Sequence, residues 1–236
     1  MSERVLVCGG SGGICSATCA ALARAGFRPI VTYAHARERA EQIARAHDGL
    51  ALALDLCDPR QIAAALAGVL DETEEPLAGV VLAASAPLAL ESFAKLRESD
   101  LERHWRVNVL GPQSLLSGLL RGVLRKQRRG VVIGVLSRAM RADAELERAF
   151  PMLGAYVIAK YGLEGLLAVL RADHPWLTVR SVVPGFTETP LLEAFDARFL
   201  EPLRARGEIA APEDVAQAIV AEFTRISPRA GSRLRG

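Results

Sequence analysis

The sequence predicts an α/β fold, a doubly wound parallel sheet with helices on both faces, and three observations lead there. Short apolar runs alternate with helix-length amphipathic stretches along the chain. The short runs are apolar throughout rather than at every second residue, as in strands buried on both faces. Half of the 236 residues are hydrophobic and 24% are charged, which supplies a large core and argues against general disorder. At this length one domain over 1–236 is expected, arranged as three αβα layers.

Taken in order, the first strand is predicted over 4–8. Glycines follow, then a helix over 14–25 that Gly26 ends. A second strand is read at 29–33, a charged helix at 35–46 and a third strand at 50–54. Asp55 ends that strand, and Pro59 opens the next helix, where proline is tolerated. The fourth strand is placed at 79–84. One long amphipathic helix should run over 100–125, capped by Ser99 or Asp100. A fifth strand is read at 131–136, a helix at 153–172, a sixth strand at 178–183 and a last helix at 212–223. No internal repeat or low-complexity linker is visible.

Composition excludes several function classes. A net charge of +2 is too small to argue for nucleic acid. The basic cluster Arg121, Arg125, Lys126, Arg128 and Arg129 falls where a helix should end, and positive charge suits that end of the dipole. Cys8, Cys15, Cys19 and Cys57 lack metal-ligand spacing and read as thiols of a reducing compartment. No apolar run is long enough to span a bilayer, and Met-Ser-Glu-Arg leads straight into a strand. A cytoplasmic protein without metal, membrane or nucleic-acid partner is expected.

Two stretches carry chemistry. Cys8-Gly9-Gly10-Ser11-Gly12-Gly13-Ile14 stands between a strand and a helix, the context in which glycines let a pyrophosphate approach backbone amides and a helix N-terminus. Tyr156 and Lys160, four apart on a helix, share one face. A neighbouring ammonium favours the phenolate and should lower the tyrosine pKa, making it usable in proton transfer. Lysine is scarce here, occurring only as Lys95, Lys126 and Lys160. Asp55 would accept from an adenine amino group or serve only as a turn residue before Asp58-Pro59. The end of the second strand, Tyr33-Ala34-His35-Ala36-Arg37-Glu38-Arg39, lacks an early acidic residue for a ribose diol. His35, Arg37 and Arg39 favour a 2′-phosphate, hence NADP(H), with NAD(H) possible if the arginines are simply a solvated helix face.

These residues resemble the short-chain dehydrogenase/reductase family over about 4–225. Its glycine motif is met by Cys8, Gly9, Gly13, Ile14 and Cys15, with cysteines for the threonine and last glycine. Asp55, with Leu56 after it, matches the aspartate after strand three. Leu82-Ala83-Ala84-Ser85 stands where the family has two asparagines. Asn108, Ser137, Tyr156 and Lys160 match the catalytic tetrad, and Pro184-Gly185 with Thr187, Thr189 and Pro190 matches the turn after strand six. The resemblance implies a Rossmann domain that reduces a ketone or 3-oxoacyl group with NADPH. Tyr156 would be the general acid, Ser137 would bond the carbonyl oxygen, Lys160 the nicotinamide ribose, and Asn108 a relay water. The cofactor would be held by Gly9, Ser11, Gly13, Ile14, Tyr33, His35, Arg37, Asp55, Leu56, Ala83, Ala84, Ser85, Tyr156, Lys160, Pro184, Gly185, Thr187 and Thr189. Alternatives are a non-catalytic NAD(P)-binding regulator or scaffold and an NAD-linked alcohol dehydrogenase.

Further expectations follow from the same resemblance. Cys15 for glycine and the missing asparagines should weaken cofactor affinity more than catalysis. The interval from Ser137 to Tyr156 is longer than the family usually has, and its helix-prone residues 138–148 either extend over the substrate cleft or form a surface excursion. The segment 186–206, with Phe186, Leu191, Leu192, Phe195 and Phe199, is expected to be an apolar lid whose side chains lack partners until ligand binds. The substrate would be a small molecule or an acyl-carrier-bound carbonyl. A homodimer or homotetramer is expected, pairing the long helix with the tyrosine helix, where Gly162, Gly165, Leu166, Leu167, Val169 and Leu170 allow close approach.

Overall fold

The computed structural model describes residues 2–9, 12–71, 75–142 and 148–225. Six parallel strands form one sheet: β1 (Glu3–Cys8), β2 (Phe27–Tyr33), β3 (Leu50–Ala53), β4 (Leu77–Leu82), β5 (Val131–Val135) and β6 (Thr178–Val182). Their order is β3-β2-β1-β4-β5-β6. The order reverses between β1 and β4, and the crevice beyond the carboxyl ends of these two strands is where such sheets bind ligands.

Alternate residues of the strands feed two cores. Leu6, Ile30, Val80, Val132 and Val179 face α3 (Pro59–Asp71), α5 (Gly111–Leu119) and α7 (Gly154–Asp173). Val5, Val7, Val31, Val81 and Ile133 face α1 (Gly13–Arg24), α2 (Arg37–Ala46) and α9 (Pro212–Thr224). Burial on both faces is why the central strands β1, β4 and β5 are nearly all apolar, whereas the edge strand β6 exposes Arg180 and Ser181.

The boundaries differ from expectation where long-range pairing sets them. β2 begins at Phe27, which pairs with Glu3 and packs its ring edge-on to Phe223 at 5.8 Å. β4 runs 77–82 rather than 79–84, because Leu77 pairs with Arg4 and Leu82 with Cys8, the last residue of β1. Gly26 ends α1 as expected, at φ +87.

The long helix is a run of α4 (Glu98–Trp105), a π turn (Arg106–Leu110), α5, a second π turn (Leu120–Leu124) and α6 (Arg125–Gln127). Neither Ser99 nor Asp100 caps it. Arg97 stands at the cap position with no side-chain cap bond, and Asp100 lies inside the first turn, where it accepts from Arg97 Nε at 2.8 Å. A Cβ on Gly111 would come within 2.4 Å of the Leu56 carbonyl oxygen, so this glycine lets α5 press against the turn after β3. In α7, Leu167 and Leu170 belong to the core, and a Cβ on Gly162 would meet Trp105 and Val109 of the same chain. Those three positions serve packing within the chain, while Gly165 has open space around it.

The segment after β6 forms a 3-10 turn (Pro190–Ala194) and α8 (Ala197–Ala205). Among the described residues no helix is long and apolar enough to cross a membrane.

Candidate active site

At the end of β1 the chain turns through Gly9 at φ +88, a region that favours glycine. A Cβ here would stand 2.9 Å from Ala84 Cα, so the loop lies directly against the end of β4. Gly12 N–H donates to the Gly9 carbonyl at 3.0 Å, and Gly13 opens α1, whose positive end faces the loop. Gly10 and Ser11 lie outside the described residues. The Gly9 N–H donates to Thr32 Oγ1 at 3.2 Å, and that hydroxyl donates to the Val7 carbonyl. Thr32 thus braces the loop across strands. Its only signal in the sequence is a buried hydroxyl amid an apolar strand.

The cysteine substitutions are absorbed by the core. Cys15 is 3% exposed and its thiol donates to the Cys8 carbonyl at 3.6 Å, away from the loop surface. Burial pushes the Cys15 thiol up to about 12 and raises Cys8 and Cys19 as well, so all three are inert at neutral pH.

Around the rest of the crevice, Asp55 Oδ1 accepts from Cys57 N–H at 2.8 Å while its own N–H donates to Gln61, which is the geometry of a turn residue. Leu56, Ala84 and Asn108 line one shallow crevice together with Leu82 and Val107. Ala83 N–H reaches the Cys8 carbonyl, and the Ser85 hydroxyl donates to Ala86 O. Tyr33 ends β2, His35 follows on the surface, and Arg37 opens α2 with Nε donating to Glu41 at 2.7 Å. Ile14 sits in the first turn of α1.

The four residues of the tetrad motif come from two consecutive connections, Asn108 from that between β4 and β5 and the other three from that between β5 and β6. Ser137 follows β5 and its hydroxyl accepts from Ala139 N–H at 3.1 Å. Tyr156 and Lys160 lie in α7, both buried. Burial raises the Tyr156 pKa, and a hydrogen bond with Ser137 pulls it partly back. This corrects the expectation of a lysine-lowered phenol: burial sets the direction, and Ser137 supplies the opposing effect. The ammonium lies 5.5 Å from the Tyr156 ring centroid, and its hydrogen bond runs to the Val135 carbonyl at 2.8 Å. Lys160 is only 2% exposed, and burial lowers its pKa to about 8. Asn108 occupies the middle of the first π turn, and its Nδ2 donates to the His104 carbonyl at 3.0 Å. Such turns recur at functional sites.

Opposite the tyrosine, the chain after β6 closes on itself. Thr187 is buried and its hydroxyl donates to the Gly185 carbonyl at 3.2 Å. Pro184 accepts from Arg138 N–H at 2.8 Å, tying this turn to Ser137's neighbour. The Thr189 methyl lies where a Cβ on Gly13 would be 2.8 Å away, so Thr189 packs on the start of α1. Glu188 and Ala210 bond backbone to backbone, and Glu188 pairs with Arg204 at 2.7 Å. Phe186, Phe195 and Phe199 pack on one another and on Phe150, with centroids 5.5 to 6.1 Å apart. The expectation that these side chains lack partners is therefore wrong. Phe150 was the missing partner, and it comes from the long interval before Tyr156. That interval begins as a 3-10 turn (Arg138–Arg141) and ends at the aromatic cluster, while 143–147 lie outside the described residues.

A sequence model of the family described as short chain dehydrogenase matches residues 3–198. The chain belongs to this family. It is 28% identical over 226 residues to the 3-oxoacyl-(acyl-carrier-protein) reductase FabG of Aggregatibacter actinomycetemcomitans, covering 93% of this chain and 90% of that protein. It is 27% identical to versicolorin reductase 1 of Aspergillus parasiticus, covering 83% of this chain and 73% of that one. The fold superposes on angucycline C-6 ketoreductase LanV, solved with bound NADP, with a TM-score of 0.79 and 23% identity over 92% of this chain and 87% of that one. Short-chain dehydrogenases are oxidoreductases that bind a nicotinamide dinucleotide, and the Gly9 turn, the open start of α1 and the buried ammonium of Lys160 fit such a group.

Proposed function

We propose that this short-chain dehydrogenase reduces a ketone or 3-oxoacyl group to a secondary alcohol with NADPH, Tyr156 acting as general acid. The observation that carries the reading is the buried group of Tyr156, Ser137 and Lys160 beside a π turn holding Asn108. Burial holds the phenol in the protonated form a donor needs while making it the weaker acid, and the bond with Ser137 offsets part of that rise. Ser137 and Tyr156 converge on one oxygen and stabilise charge developing there. The nicotinamide supplies the hydride when bound. Gly9, Ser11, Gly13 and Ile14 would hold its diphosphate; Tyr33, His35 and Arg37 the adenosine ribose side; Asp55, Leu56, Ala83, Ala84 and Ser85 the adenosine and central part; Lys160, Pro184, Gly185, Thr187 and Thr189 the nicotinamide end.

The reading favours NADP because His35, Arg37 and Arg39 border the end of β2. The exposed Arg37–Glu41 pair is worth little, so a 2′-phosphate can take over the guanidinium at small cost. Titration with both coenzymes is expected to show tighter binding of NADPH, and equal or tighter NADH binding would reverse this choice. Gly9→Ala tests the loop: strain at positive φ and the approach to Ala84 should weaken coenzyme binding at least about tenfold. Unchanged affinity would move the coenzyme elsewhere. A panel of ketones and acyl thioesters identifies the substrate.

The aromatic cluster of Phe150, Phe186, Phe195 and Phe199 supports an apolar substrate wall and a lid over 186–206. The same proposal includes a homodimer or homotetramer. Exposed Trp105, Leu110, Ile158, Tyr161 and Val169 stand on the long helical run and α7, with open space at Gly165. Light scattering at micromolar concentration should give at least a dimer, and a monomer would remove this part.

A further inference from the structure

Arg138 opens the 3-10 turn after β5, directly behind Ser137. Its backbone is held from both sides. The Arg138 N–H donates to the Pro184 carbonyl at 2.8 Å, and the Ser137 hydroxyl accepts from Ala139 N–H at 3.1 Å. A Cβ on Gly185 would stand 3.5 Å from Arg138 Cδ and 4.0 Å from Nη1. The stem and guanidinium therefore lie across the turn that follows β6. Phe186 is next in that turn, and its ring packs edge-on to Phe150 and Phe195. Ala139, on the other side of Arg138 in the chain, packs in the apolar cluster of Tyr156 and Phe150.

The charge placed there is unanswered. Arg138 is exposed, and among the described residues its guanidinium makes no ion pair or hydrogen bond. Arg141, one turn further on, is engaged twice: it pairs with Glu164 at 3.6 Å and lies over the Tyr161 ring at 5.9 Å. Of the carboxylates after β6, Glu188 is taken by Arg204 and Asp196 by the start of α8. A lone arginine on open surface is an ordinary solvated side chain. This one is set apart by its place, one residue from the hydroxyl beside Tyr156 and next to a wall of phenylalanines. A guanidinium is a planar fork that takes a carboxylate through two parallel N–H bonds.

We propose that Arg138 determines specificity by binding a carboxylate on the substrate, so that the substrate class is a keto acid with an apolar body. The inference rests on the ketone reduction proposed above. With the carbonyl oxygen at Ser137 and Tyr156, one substituent lies along the phenylalanines and the other carries its carboxylate to Arg138. The reaction itself is unaltered: hydride reaches the carbonyl carbon, the Tyr156 proton reaches the oxygen, and a hydroxy acid leaves. The carboxylate keeps its charge from substrate to product. Arg138 therefore contributes equally to ground state and transition state, and its removal raises KM rather than lowering kcat.

The test sets aryl keto acids, from benzoylformate to benzoylbutyrate, beside their methyl esters, with the parent and with Arg138→Met, which keeps a stem over Gly185. The parent is expected to favour at least one acid over its ester by about tenfold in kcat/KM. Arg138→Met should lose that preference through KM for the acid, with its Tm, coenzyme affinity and ester kinetics parental. Arg138→Lys keeps the charge without the fork and should recover part of the preference. Calorimetric titration of phenylbutyrate, which has no ketone, into the coenzyme-loaded protein should show weaker binding to the methionine variant. A parent that reduces ester and acid alike overturns the proposal, as does a methionine variant that loses acid and ester equally. Dependence on Arg138 seen only with the coenzyme A thioester of benzoylacetate would make the anion a phosphate and overturn the carboxylate. A parent inactive on every acid and ester with both coenzymes rejects the ketone reduction beneath. The phenylbutyrate titration then still decides Arg138, and equal binding to parent and methionine variant rejects its role.

Discussion

Tyr156→Phe is expected to lose about 10² to 10⁴ in kcat, on the order of 3–5 kcal/mol of barrier, while coenzyme binding stays close to the parent's. The phenylalanine ring keeps the contacts of the tyrosine with Leu153, Val157 and His104, so the site is not emptied. What disappears is the hydroxyl, and with it the hydrogen bond to Ser137, worth about 1 kcal/mol of stability. A coenzyme titration together with steady-state rates on one ketone separates these effects. Near-parental turnover would remove Tyr156 from the chemistry. Loss of coenzyme affinity in step with activity would make the tyrosine a binding residue instead.

The sheet was legible because its central strands β1, β4 and β5 are buried on both faces and so are nearly continuous apolar runs, a pattern local enough to read from one segment at a time. Boundaries set by partners were not. Phe27 joins β2 because Glu3 and Phe223 lie beside it, and Leu77 joins β4 because Arg4 does. Ser99 and Asp100 have the chemistry of helix caps, but Asp100 is drawn inside the helix by Arg97 and lies a turn from His104.

The candidate site divides in the same way. Tyr156 and Lys160 are a local spacing on one helix, and Ser137 and Asn108 stand in register with them along the chain. The consequence of burying that pair was not legible: spacing suggests a lowered phenol pKa, whereas depth decides for a raised one. Thr32 bracing Gly9, and Phe150 docking on Phe186, join residues far apart in sequence, and no periodicity marks either contact.

Lys160→Met is expected to stabilise the protein while abolishing turnover. Burial holds the folded-state pKa at about 8 against an ordinary 10.5, so between these values the unfolded chain binds the extra proton. Stability therefore rises with pH from about 8 to 10.5, and below 8 the full cost of the buried charge, about 3 kcal/mol, is present. Methionine has similar length and no charge, which removes that cost. It also leaves the Val135 carbonyl without its 2.8 Å partner, a loss of about 1–2 kcal/mol. The net gain at pH 7 should be about 1–2 kcal/mol, or a rise of a few degrees in Tm for a chain of this size. Urea unfolding across pH 7 to 10.5 reads the sign directly: parental stability should climb over that window, and the methionine variant should lack this contribution. A variant that is less stable than the parent at pH 7 and keeps the parental slope would show that Lys160 is ionised without penalty. In that case the ammonium would be held by the fold rather than retained, at a cost in stability, for the reaction.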